Sequence, residues 1–503
     1  MKILAIDIGT STIKSGMVDD QGNILSTCSK EIDIHSPEPG AALHDPNKLF
    51  ETVMLVSRDV IKKTGSKEID AMVFSGYLFG LIPLNEREEP IYWMMTWLDK
   101  RPSLVIDEIV RIWGSRELYE RTGCPPLFIY QLSKIYWLRK YKKEIFEKTK
   151  RFLDVKGFIV NRIAGRKIMD ISAASGSQLL NIRKLSWDDL SLEIAGINEE
   201  CLPELVNSDT VMGYISEDFA KKIGLDKPVP LVPGVFDGAA VAIGEGATSE
   251  GIGSSHLSTS TMLRVASKVP MVDRSEEMRF QTYYMAEGIW LPGGAVNNAG
   301  IVLRWFRDNF GDLERIVAKR TGDEVYELLN REAERAPPGS SGLVFLPYIS
   351  GERFPGFGNY SSGVLFGLRL EHRRWHIIRA LMEGVILNLN IIKEALTDNG
   401  LNVKEIRVTG GGAKSKLWLQ VLADITGIKV RRFKGEDAAL LGSCILAMKA
   451  LGERKSIIMD EERYLDDPIY PNETNRSLYD KKFQIFKKLI KTLTPIWKEA
   501  SSA

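Results

Sequence analysis

Glycine, hydroxyl and carboxylate side chains lie next to one another near the N-terminus of the chain, where together they can hold an anion. Asp7 ends a short β-rich run, and Gly9, Thr10 and Ser11 form the turn that follows it. Small side chains let backbone N–H groups approach a phosphate closely, and hydroxyl groups add further donors. The sequence therefore predicts a strand–turn–strand unit that binds a phosphate group, with a carboxylate at its edge.

The same pattern recurs about 250 residues later along the chain. The segment from Leu257 to Arg264 repeats the hydroxyl-rich turn, with Ser258 and Thr259 at its centre. Both copies stand at the start of one half of the chain, between runs of β-forming residues. Repetition in the same local context indicates a duplicated domain. We therefore predict two related units.

Three consecutive glycines mark a third site. Gly410, Gly411 and Gly412 follow the apolar run 406–408 and precede a helix that begins near Ser415. A turn of this kind either docks a nucleotide or simply caps the helix. Its spacing matches neither the dinucleotide fingerprint nor the P-loop, and GxxxxGK[ST] occurs nowhere in the chain. A phosphate cradle would therefore need both hairpins and the glycine turn.

Alternating β-like and helical segments must position these residues. β-rich runs begin at Lys2 and Ile13, and the run 229–236 leads into Asp237 and a helix of small residues that ends near Gly244. Helical periodicity predicts helices over residues 46–64, 115–149, 298–309, 323–335, 376–398, 416–426, 437–451 and 478–500. The predicted fold class is therefore mixed α/β.

Length, charge and cysteine usage narrow the class of protein. The chain has 503 residues, which suggests two or more domains of about 100 to 200 residues each. It carries 67 basic and 66 acidic residues, and a net charge of +1 gives no reason to expect nucleic acid or an anionic membrane as partner. Its 4 cysteines lie far apart without a CxxC pair, which predicts a cytoplasmic location. No run approaches the roughly 18 apolar residues of a membrane span, so we predict a protein that is neither secreted nor membrane-inserted.

Several motifs of the chain, taken in order, closely resemble those of the FGGY carbohydrate kinases, a family with the actin-like ATPase fold. The matching segments are residues 7–14, 75–80 (SGYLFG), 97–101 (WLDKR), 170–176 (DISAASG), 234–238 (GVFDG), 347–353 (PYISGER), 363–368 (GVLFGL) and 410–414 (GGGAK). The resemblance implies two duplicated actin-like (ribonuclease H-like) ATPase domains with a cleft between them. It places the domains at residues 1–244 and 245–503.

The same resemblance implies phosphoryl transfer from ATP with the help of Mg²⁺. In such a site Asp237 is the base that accepts the proton of the attacking hydroxyl, and its alternative role is to cap the helix that follows. Asp7 is then the residue that holds Mg²⁺ through water, and its alternative role is an Asx-turn aspartate. Both carboxylates are expected at strand ends.

Phosphate-binding and nucleotide-binding positions follow from the resemblance. They are Gly9, Thr10, Ser11 and Lys14 in the first hairpin, Ser258 and Thr259 in the second hairpin, and Gly410, Gly411, Gly412 and Ala413 beside the ribose and adenine. Ser258 replaces the usual glycine of the family, so its side chain either crowds the β-phosphate or adds a donor. Lys14 either faces the phosphates or lies solvated at a strand edge.

The acceptor-binding positions implied by the resemblance lie in three segments. They are Tyr77, Leu78, Phe79, Trp97, Asp99, Arg101 and Asn297. Asp99 and Arg101 can offer an acceptor and a planar donor fork to a hydroxyl or a carboxylate, or they form a structural salt bridge. The aromatic residues are either walls on which a sugar lies or part of the core.

Two features of these segments bear on the substrate. Tyr77 and Phe79 stand where pentulose kinases usually have Gln and His, which argues against xylulose. Asn297 lies in a segment similar to the GGxxNNGG element of gluconate kinases. Asn297 and the following Arg304 would then face an acid, or an asparagine of this segment caps the next helix.

The sequence thus predicts an ATP-dependent kinase whose partner is a small-molecule sugar or sugar acid. We favour a sugar acid such as gluconate, and xylulose or another ketose is the alternative. From another class, a non-catalytic sugar sensor or an acceptor-independent ATPase on the same scaffold stays open. The oligomeric state, including a homodimer, stays open as well.

Overall fold

The structure of the chain is a computed structural model that describes residues 1–352 and 360–500. The strands are β1 (Lys2–Ile8), β2 (Thr12–Asp19), β3 (Ile24–Glu31), β4 (Leu43–His44), β5 (Ala71–Gly76), β6 (Ile82–Leu84), β7 (Met94–Met95), β8 (Arg151–Leu153), β9 (Ile168–Asp170), β10 (Leu180–Asn181), β11 (Ser186–Trp187), β12 (Glu204–Val206), β13 (Leu231–Phe236), β14 (Ile252–His256), β15 (Thr261–Val265), β16 (Gln281–Tyr284), β17 (Trp290–Val296), β18 (Val344–Leu346), β19 (Val364–Phe366), β20 (Glu405–Thr409) and β21 (Lys429–Arg432). The α-helices are α1 (Pro46–Thr64), α2 (Ile106–Trp113), α3 (Ser115–Thr122), α4 (Gln131–Tyr141), α5 (Lys143–Lys148), α6 (Val155–Ala164), α7 (Ile171–Ser175), α8 (Asp189–Ala195), α9 (Glu217–Ile223), α10 (Asp237–Gly244), α11 (Gly300–Phe310), α12 (Asp312–Thr321), α13 (Val325–Ala333), α14 (Arg374–Asp398), α15 (Lys416–Thr426), α16 (Ala438–Ala450), α17 (Glu461–Tyr464) and α18 (Arg476–Ala500).

A five-stranded sheet lies at the centre of the first unit, with strand order β13–β5–β1–β2–β3. The strands β1, β2 and β3 form an antiparallel meander, while β5 and β13 run parallel to β1. Parallel strands need a crossover connection, and α1 supplies it between β3 and β5. Because the carboxyl ends of β1, β5 and β13 meet at one edge of the sheet, Asp7 and Asp237 lie at the same edge.

The second unit repeats this topology in a six-stranded sheet of order β16–β17–β15–β14–β20–β21. Its strands β14, β15 and β17 form the antiparallel meander, and β20 and β21 run parallel to β14. Strand β16 is the addition, and it pairs with β17 at the edge. The common order and direction of the other five strands confirm the predicted duplication and the mixed α/β fold class.

Two helices of small residues, α10 and α16, pack against each other and join the two units. Each follows the last strand of its own sheet, β13 or β21. A Cβ atom at Gly244 would lie 1.9 Å from Ala438 O, and one at Gly442 would lie 1.9 Å from Ala240 O. The small residues that the sequence places in these helices therefore permit a close backbone crossing.

Helix ends follow local capping signals where the predictions succeed. Helix α1 begins after Asp45, whose side chain accepts two backbone N–H bonds, and ends at Gly65 with φ 63°. The single helix predicted over residues 115–149 is wrong, because the segment forms α3, α4 and α5. Gly123 ends α3 in the left-handed conformation at φ 68°, and two prolines follow that cannot continue a helix.

The longest apolar helix lies inside the second unit. Helix α14 has 25 residues and is long and apolar enough to cross a membrane. In its most apolar window, 83% of the residues are buried within the protein. Such burial is typical of a core helix, and α14 packs against α15 and the strands β17 and β18.

Candidate active site

A cleft of about 800 Å³ opens where the two units meet. The first unit contributes Asp7, Thr10, Lys14, Tyr77, Leu78, Phe79, Trp97, Phe236 and Asp237 to its walls. The second unit contributes His256, Ser260, Met262, Arg264, Ala295, Thr409, Gly410, Ala413 and Asp437. Clefts between domains are common places for small-molecule sites. This cleft brings the predicted base Asp237, the predicted metal-holding residue Asp7 and both hydroxyl-rich turns to one place.

Asp7 is the last residue but one of β1 and lies beside the parallel strand β5. It lies in register with Ser75, whose hydroxyl donates to Asp7 Oδ1 at 2.6 Å. Burial raises the pKa of Asp7, while the Ser75 hydrogen bond works against this rise. The side chain is half-buried at the cleft wall. One carboxylate oxygen is thus held by the protein, which fixes the direction of the other.

A β-bulge aims Asp237 into the cleft. The register of β13 against β5 shifts between Val232 and Val235, and Gly234 within this bulge has φ 70°. A Cβ atom at Gly234 would lie 1.7 Å from Phe74 O, so the close approach of the strands requires glycine. Bulges redirect the residues that follow them. Asp237, which follows the strand, lines the cleft.

The side chain of Asp237 does not have the geometry of a helix cap. It is the first residue of α10, the cap position belongs to Phe236, and Asp237 Oδ1 accepts only from the adjacent N–H of Gly238, at 2.7 Å. Burial raises the pKa of Asp237 to about 7, and the carboxylate of Asp7 adds to this rise. A carboxylate with a pKa near neutrality is well suited to accept a proton at physiological pH.

The first hairpin is closed by its own backbone. Gly9 N donates to Thr12 O at 3.0 Å, and a Cβ atom at Gly9 would lie 2.7 Å from that oxygen. Ser11 is exposed at the tip. Lys14 Nζ lies 2.6 Å from Asp437 Oδ2, across the cleft from its own unit. Lys14 therefore lies in the cleft, where it is paired with an acid of the second unit, and its contact with the phosphates stays a prediction.

Thr10 connects the first hairpin to the predicted acceptor side. Trp97 Nε1 donates to Thr10 Oγ1 at 2.8 Å, and His44 Nε2 lies 3.0 Å from Thr10 O. The other ring nitrogen of His44 lies 3.0 Å from the hydroxyl of Tyr77. Burial lowers the pKa of His44 to about 4, so the ring is neutral at physiological pH. Tyr77 thus lines the cleft with its ring while its hydroxyl is held by His44, which sequence reasoning missed.

The segment after Tyr77 is held in a strained conformation by helix α4. Phe79 is half-buried with φ 75°, a region that costs free energy for a residue with a side chain. Lys134 Nζ donates to Phe79 O, and Gln131 Nε2 donates to Gly80 O at 2.6 Å. Burial lowers the pKa of Lys134 to about 7. These two helix residues, also missed from the sequence, fix Phe79 and the buried Leu78 beside the cleft.

Asp99 and Arg101 form an ion pair with each other, as in the structural alternative given for them, and their role as acceptor ligands stays a prediction. Arg101 Nε and Nη2 donate to Asp99 at 2.9 Å and 2.5 Å, and Nη1 donates to Glu38 and to Tyr92. The guanidinium also stacks over the ring of Trp137 at 4.6 Å. Both residues are buried, and neither lines the cleft. Their polar atoms are already satisfied by one another and by Glu38.

Asn297 also departs from its predicted role. Its backbone N–H donates to Glu352 Oε1 at 2.9 Å, and its side-chain amide lies 3.4 Å from Gly351 O. Asn298 Nδ2 donates to the same carbonyl at 2.8 Å. The pair therefore ties the end of β17 to residues 351–352, and neither asparagine contacts the cleft or caps α11. Arg353, the last residue of the PYISGER segment, lies outside the described residues.

The second hairpin is closed in a similar way to the first. Ser258 N donates to Ser260 O at 3.0 Å, and Gly300 N donates to Ser258 O at 2.6 Å. Thr259 is exposed at the tip, and its hydroxyl accepts from Arg304 Nη2 at 3.2 Å. Arg304 therefore contacts the hairpin instead of the acceptor side, which corrects the expectation that it faces an acid.

The triple-glycine turn packs against the second hairpin. Gly410 has φ 91°, and a Cβ atom there would lie 2.5 Å from Leu257 O. Gly412 N donates to the same carbonyl at 2.9 Å, and its own Cβ would meet the Leu257 side chain at 2.6 Å. Gly411 is exposed with open space around it, while Gly410 and Ala413 line the cleft. Close packing against Leu257 explains Gly410 and Gly412, and open space around the turn explains Gly411.

Two further residues of the cleft were absent from the predicted set. His256 ends β14, and its Nδ1 lies 2.9 Å from Thr409 Oγ1. Arg264 is buried in β15, with its guanidinium 4.3 Å from the ring centre of Tyr283. The alternation of a strand places Met262 and Arg264 on one face, and both line the cleft. That alternation was the available sequence signal for Arg264.

Solved structures and curated sequences resemble the chain over nearly its whole length. A gluconokinase of Bacillus subtilis is 34% identical over 453 residues, which cover 90% of this chain and 88% of that protein. A xylulose kinase of Lactococcus lactis is 28% identical over 500 residues, which cover 98% of this chain and 97% of that protein. The crystal structure of a gluconate kinase from Lactobacillus acidophilus has a TM-score of 0.92 at 27% identity and covers 99% of each chain.

Family models match both units. The model of the N-terminal domain of the FGGY family of carbohydrate kinases matches residues 2–244, and that of the C-terminal domain matches residues 254–451. These ranges contain the two duplicated sheets and the cleft between them. The matches, together with a relative 34% identical over 90% of the chain, show that this protein belongs to the FGGY family of carbohydrate kinases.

Proposed function

We propose that the protein transfers the γ-phosphoryl group of MgATP to a hydroxyl group of a sugar acid such as gluconate. The observation that carries the proposal is the meeting of Asp7, Asp237 and two hydroxyl-rich hairpins at one cleft. The choice of an acid is supported by the gluconokinase relatives, which are more similar in sequence than the xylulose kinases. In this proposal residues 1–244 carry the acceptor side and residues 245–503 the nucleotide side.

The two sides of the cleft differ in chemistry in a way that supports these assignments. Aromatic and apolar side chains of Trp97, Phe79 and Leu78 wall the first unit, and such rings can pack on the C–H face of a sugar. On the second unit, Gly410 and Ala413 leave backbone accessible for a ribose or adenine. The hairpins lie between these two sides, where the phosphates would have to pass.

The residues present fit a hydrated Mg²⁺ ion. Mg²⁺ keeps most of its water and needs only one or two protein carboxylates together with phosphate oxygens. Asp7 offers the oxygen that Ser75 leaves free, and it lies close enough to Asp237 to raise the pKa of the Asp237 carboxyl. No group of three or more metal-ligand side chains occurs among residues 1–352 and 360–500, as expected for such a sparsely ligated ion. When bound, Mg²⁺ supplies neutralisation of the β- and γ-phosphate charge.

The chain's own residues then account for the transfer. A hydroxyl oxygen of the acceptor forms a bond to the γ-phosphorus, and the bond between that phosphorus and the β–γ bridging oxygen breaks. Asp237 takes the hydroxyl proton, and ADP leaves. Backbone N–H groups of the two hairpins and the ammonium of Lys14 hold the phosphates in line. Closure of the two units around the substrates would exclude water.

The alternatives make different demands on the cleft. A ketose kinase would need hydroxyl-directed polar groups where Tyr77 and Phe79 lie, yet the Tyr77 hydroxyl is held by His44. A sugar sensor would have no need for Asp237 with its raised pKa. A free ATPase would have no need for the aromatic wall. A cytoplasmic location belongs to the proposal and is supported by the four free cysteines.

Coupled ADP release with MgATP tests the function directly. The acceptors are gluconate, other aldonates, xylulose, ribulose and glycerol, each assayed with the wild type, Asp237→Asn and Asp218→Asn. Asp218 is an exposed aspartate paired with Lys222 on α9, and it serves as the matched control. We expect gluconate or another aldonate to give the highest turnover, with loss in Asp237→Asn alone. Turnover that is highest with xylulose, or no stimulation by any acceptor, would refute the proposal.

A further inference from the structure

Arg264 is a buried cation on the cleft face of β15. It lies in register with Ser254 on β14 and opposite Gly293 on β17. Its relative exposure is 6%, yet it forms part of the cleft wall together with Met262. A buried guanidinium is costly unless an acid or several acceptors satisfy it.

Arg264 has few polar partners in the part of the chain that the structure describes. In residues 1–352 and 360–500 it has no ion pair, and its one hydrogen bond runs from Nη1 to Leu291 O at 3.3 Å. The other buried arginines are all paired with carboxylates: Arg101 with Asp99, Arg379 with Glu383, and Arg407 with Glu405. Arg264 instead stacks over Tyr283 at 4.3 Å, which stabilises a cation but leaves donors unused. Arg264 thus has donors left for an anion that binds in the cleft.

Arg264 lies on the aromatic acceptor side of the cleft, although it belongs to the second unit. Its stacking partner Tyr283 packs against Phe79 and Phe236, with ring centres 6.2 Å and 5.8 Å away. An acceptor held against these rings would therefore be able to bring an anionic group to Arg264.

The position of Asp237 indicates how an acceptor would lie relative to Arg264. Burial raises the pKa of Asp237 to about 7, and Arg264 is among the cations that offset the rise. The two residues therefore act on the same acceptor space from different units. An acceptor that presents a hydroxyl to Asp237 would extend its other end along β15.

We propose that Arg264 binds the carboxylate of the acceptor and so sets the specificity of the kinase for sugar acids over neutral sugars. The inference rests on the proposed function and deepens it by naming the residue that reads the acid. A planar guanidinium fork matches a carboxylate in two parallel hydrogen bonds. A neutral sugar would leave this buried cation unpaired, and that penalty discriminates against it.

The test compares two acceptors that share a carbon skeleton. Gluconate carries the carboxylate, and glucitol has a hydroxymethyl group in its place. Values of kcat/KM for both are measured with the wild type, Arg264→Met, Arg264→Lys and the control Arg331→Met, whose arginine is exposed on α13 and pairs only with Glu327. We expect Arg264→Met to lower kcat/KM for gluconate by about 100-fold, mostly through KM, and to change that for glucitol by less than about threefold. Arg264→Lys keeps the charge without the fork, so its loss should be intermediate.

Chemical rescue of an Arg264 variant distinguishes loss of acceptor binding from loss of folding. Arg264→Ala is assayed with added guanidinium ion, which should restore gluconate turnover severalfold and leave glucitol turnover unchanged. Equal losses for both acceptors, full gluconate activity in Arg264→Met, or rescue of both acceptors alike would overturn the role of Arg264. A wild type that prefers glucitol or xylulose to gluconate would instead refute the proposed function itself. The wild-type measurements therefore test the proposed function, and the variant measurements separately test the role of Arg264.

Discussion

Asp7 and His256 occupy equivalent positions in the two units. Each lies near the end of the first strand of its meander. Each contacts a hydroxyl residue in register on the adjacent parallel strand, Ser75 for Asp7 and Thr409 for His256. Burial lowers the pKa of His256, so this position carries no charge at neutral pH in the second unit. The duplicated frame thus places a carboxylate at this strand position in the first unit only.

This asymmetry predicts that the metal depends on the first unit. We expect Asp7→Asn to lower kcat by about 100-fold and to raise the Mg²⁺ concentration for half-maximal activity, because the amide cannot attract the hydrated ion. The measurement is a Mg²⁺ titration of activity at fixed ATP, beside the surface control Asp218→Asn. An Asp7→Asn enzyme with an unchanged Mg²⁺ requirement would contradict the assignment.

The burial of the Asp237 carboxylate predicts that this residue lowers the stability of the active enzyme. Its folded pKa of about 7 lies above the ordinary value of 3.8, so ionisation in the folded state costs free energy. The protonated form of Asp237 is the one that the fold stabilises. Its contribution to the free energy of unfolding is present near pH 4 and is lost as the pH rises through 7. Asp237→Asn removes that loss, and we expect the inactive variant to exceed the wild type in stability by about 2 kcal/mol at pH 8 and by much less at pH 5. Thermal unfolding without nucleotide at both pH values measures the difference, and an equal gain at both would refute the explanation.

Local patterns predicted much of this cleft. The hydroxyl-rich turns, the glycine turn after an apolar strand and the aspartate after β13 are short-range features, and strand ends in α/β folds gather at one edge. The duplicated topology was predictable for the same reason, since the turn of Thr10 recurs at Thr259. Helix α1 was predictable because Asp45 and Gly65 cap it locally.

Partners distant in sequence explain what the sequence could not predict. Asp99 and Arg101 are two positions apart, but Glu38 and Tyr92, which complete their set of hydrogen bonds, come from other segments. Arg264 is an ordinary strand residue in sequence, and its lack of an acid partner emerges only when the whole environment is assembled. The sequence therefore predicted the turns that carry phosphate-binding residues. It could not predict which charged residues are structural and which bind ligands, because that depends on long-range contacts.

The ion pair of Arg101 with Asp99 predicts that Arg101 contributes to stability more than to acceptor binding. We expect Arg101→Met to lower the free energy of unfolding by about 3 to 5 kcal/mol, because buried Asp99 would lose its cation. The KM for the acceptor should change by less than about threefold in the folded fraction, since neither residue lines the cleft. Denaturant unfolding and acceptor kinetics are compared with Arg331→Met, for which surface charge predicts a change below about 0.5 kcal/mol. A large rise in acceptor KM without loss of stability would restore Arg101 as a ligand.

The ion pair between Lys14 and Asp437 joins the two units across the cleft at 2.6 Å. Phosphate groups entering between the hairpins would compete with Asp437 for the ammonium of Lys14. We therefore expect Lys14→Met to raise the KM for ATP by about 10-fold, and Asp437→Asn to lower it by about threefold because the ammonium is already released. Both effects should shrink as ionic strength rises, since the Lys14 side chain is 39% exposed. ATP kinetics at low and high salt measure this, with Lys222→Met as the surface control. If both substitutions raise the KM for ATP alike, the pair instead holds the two units together as one element of the binding site.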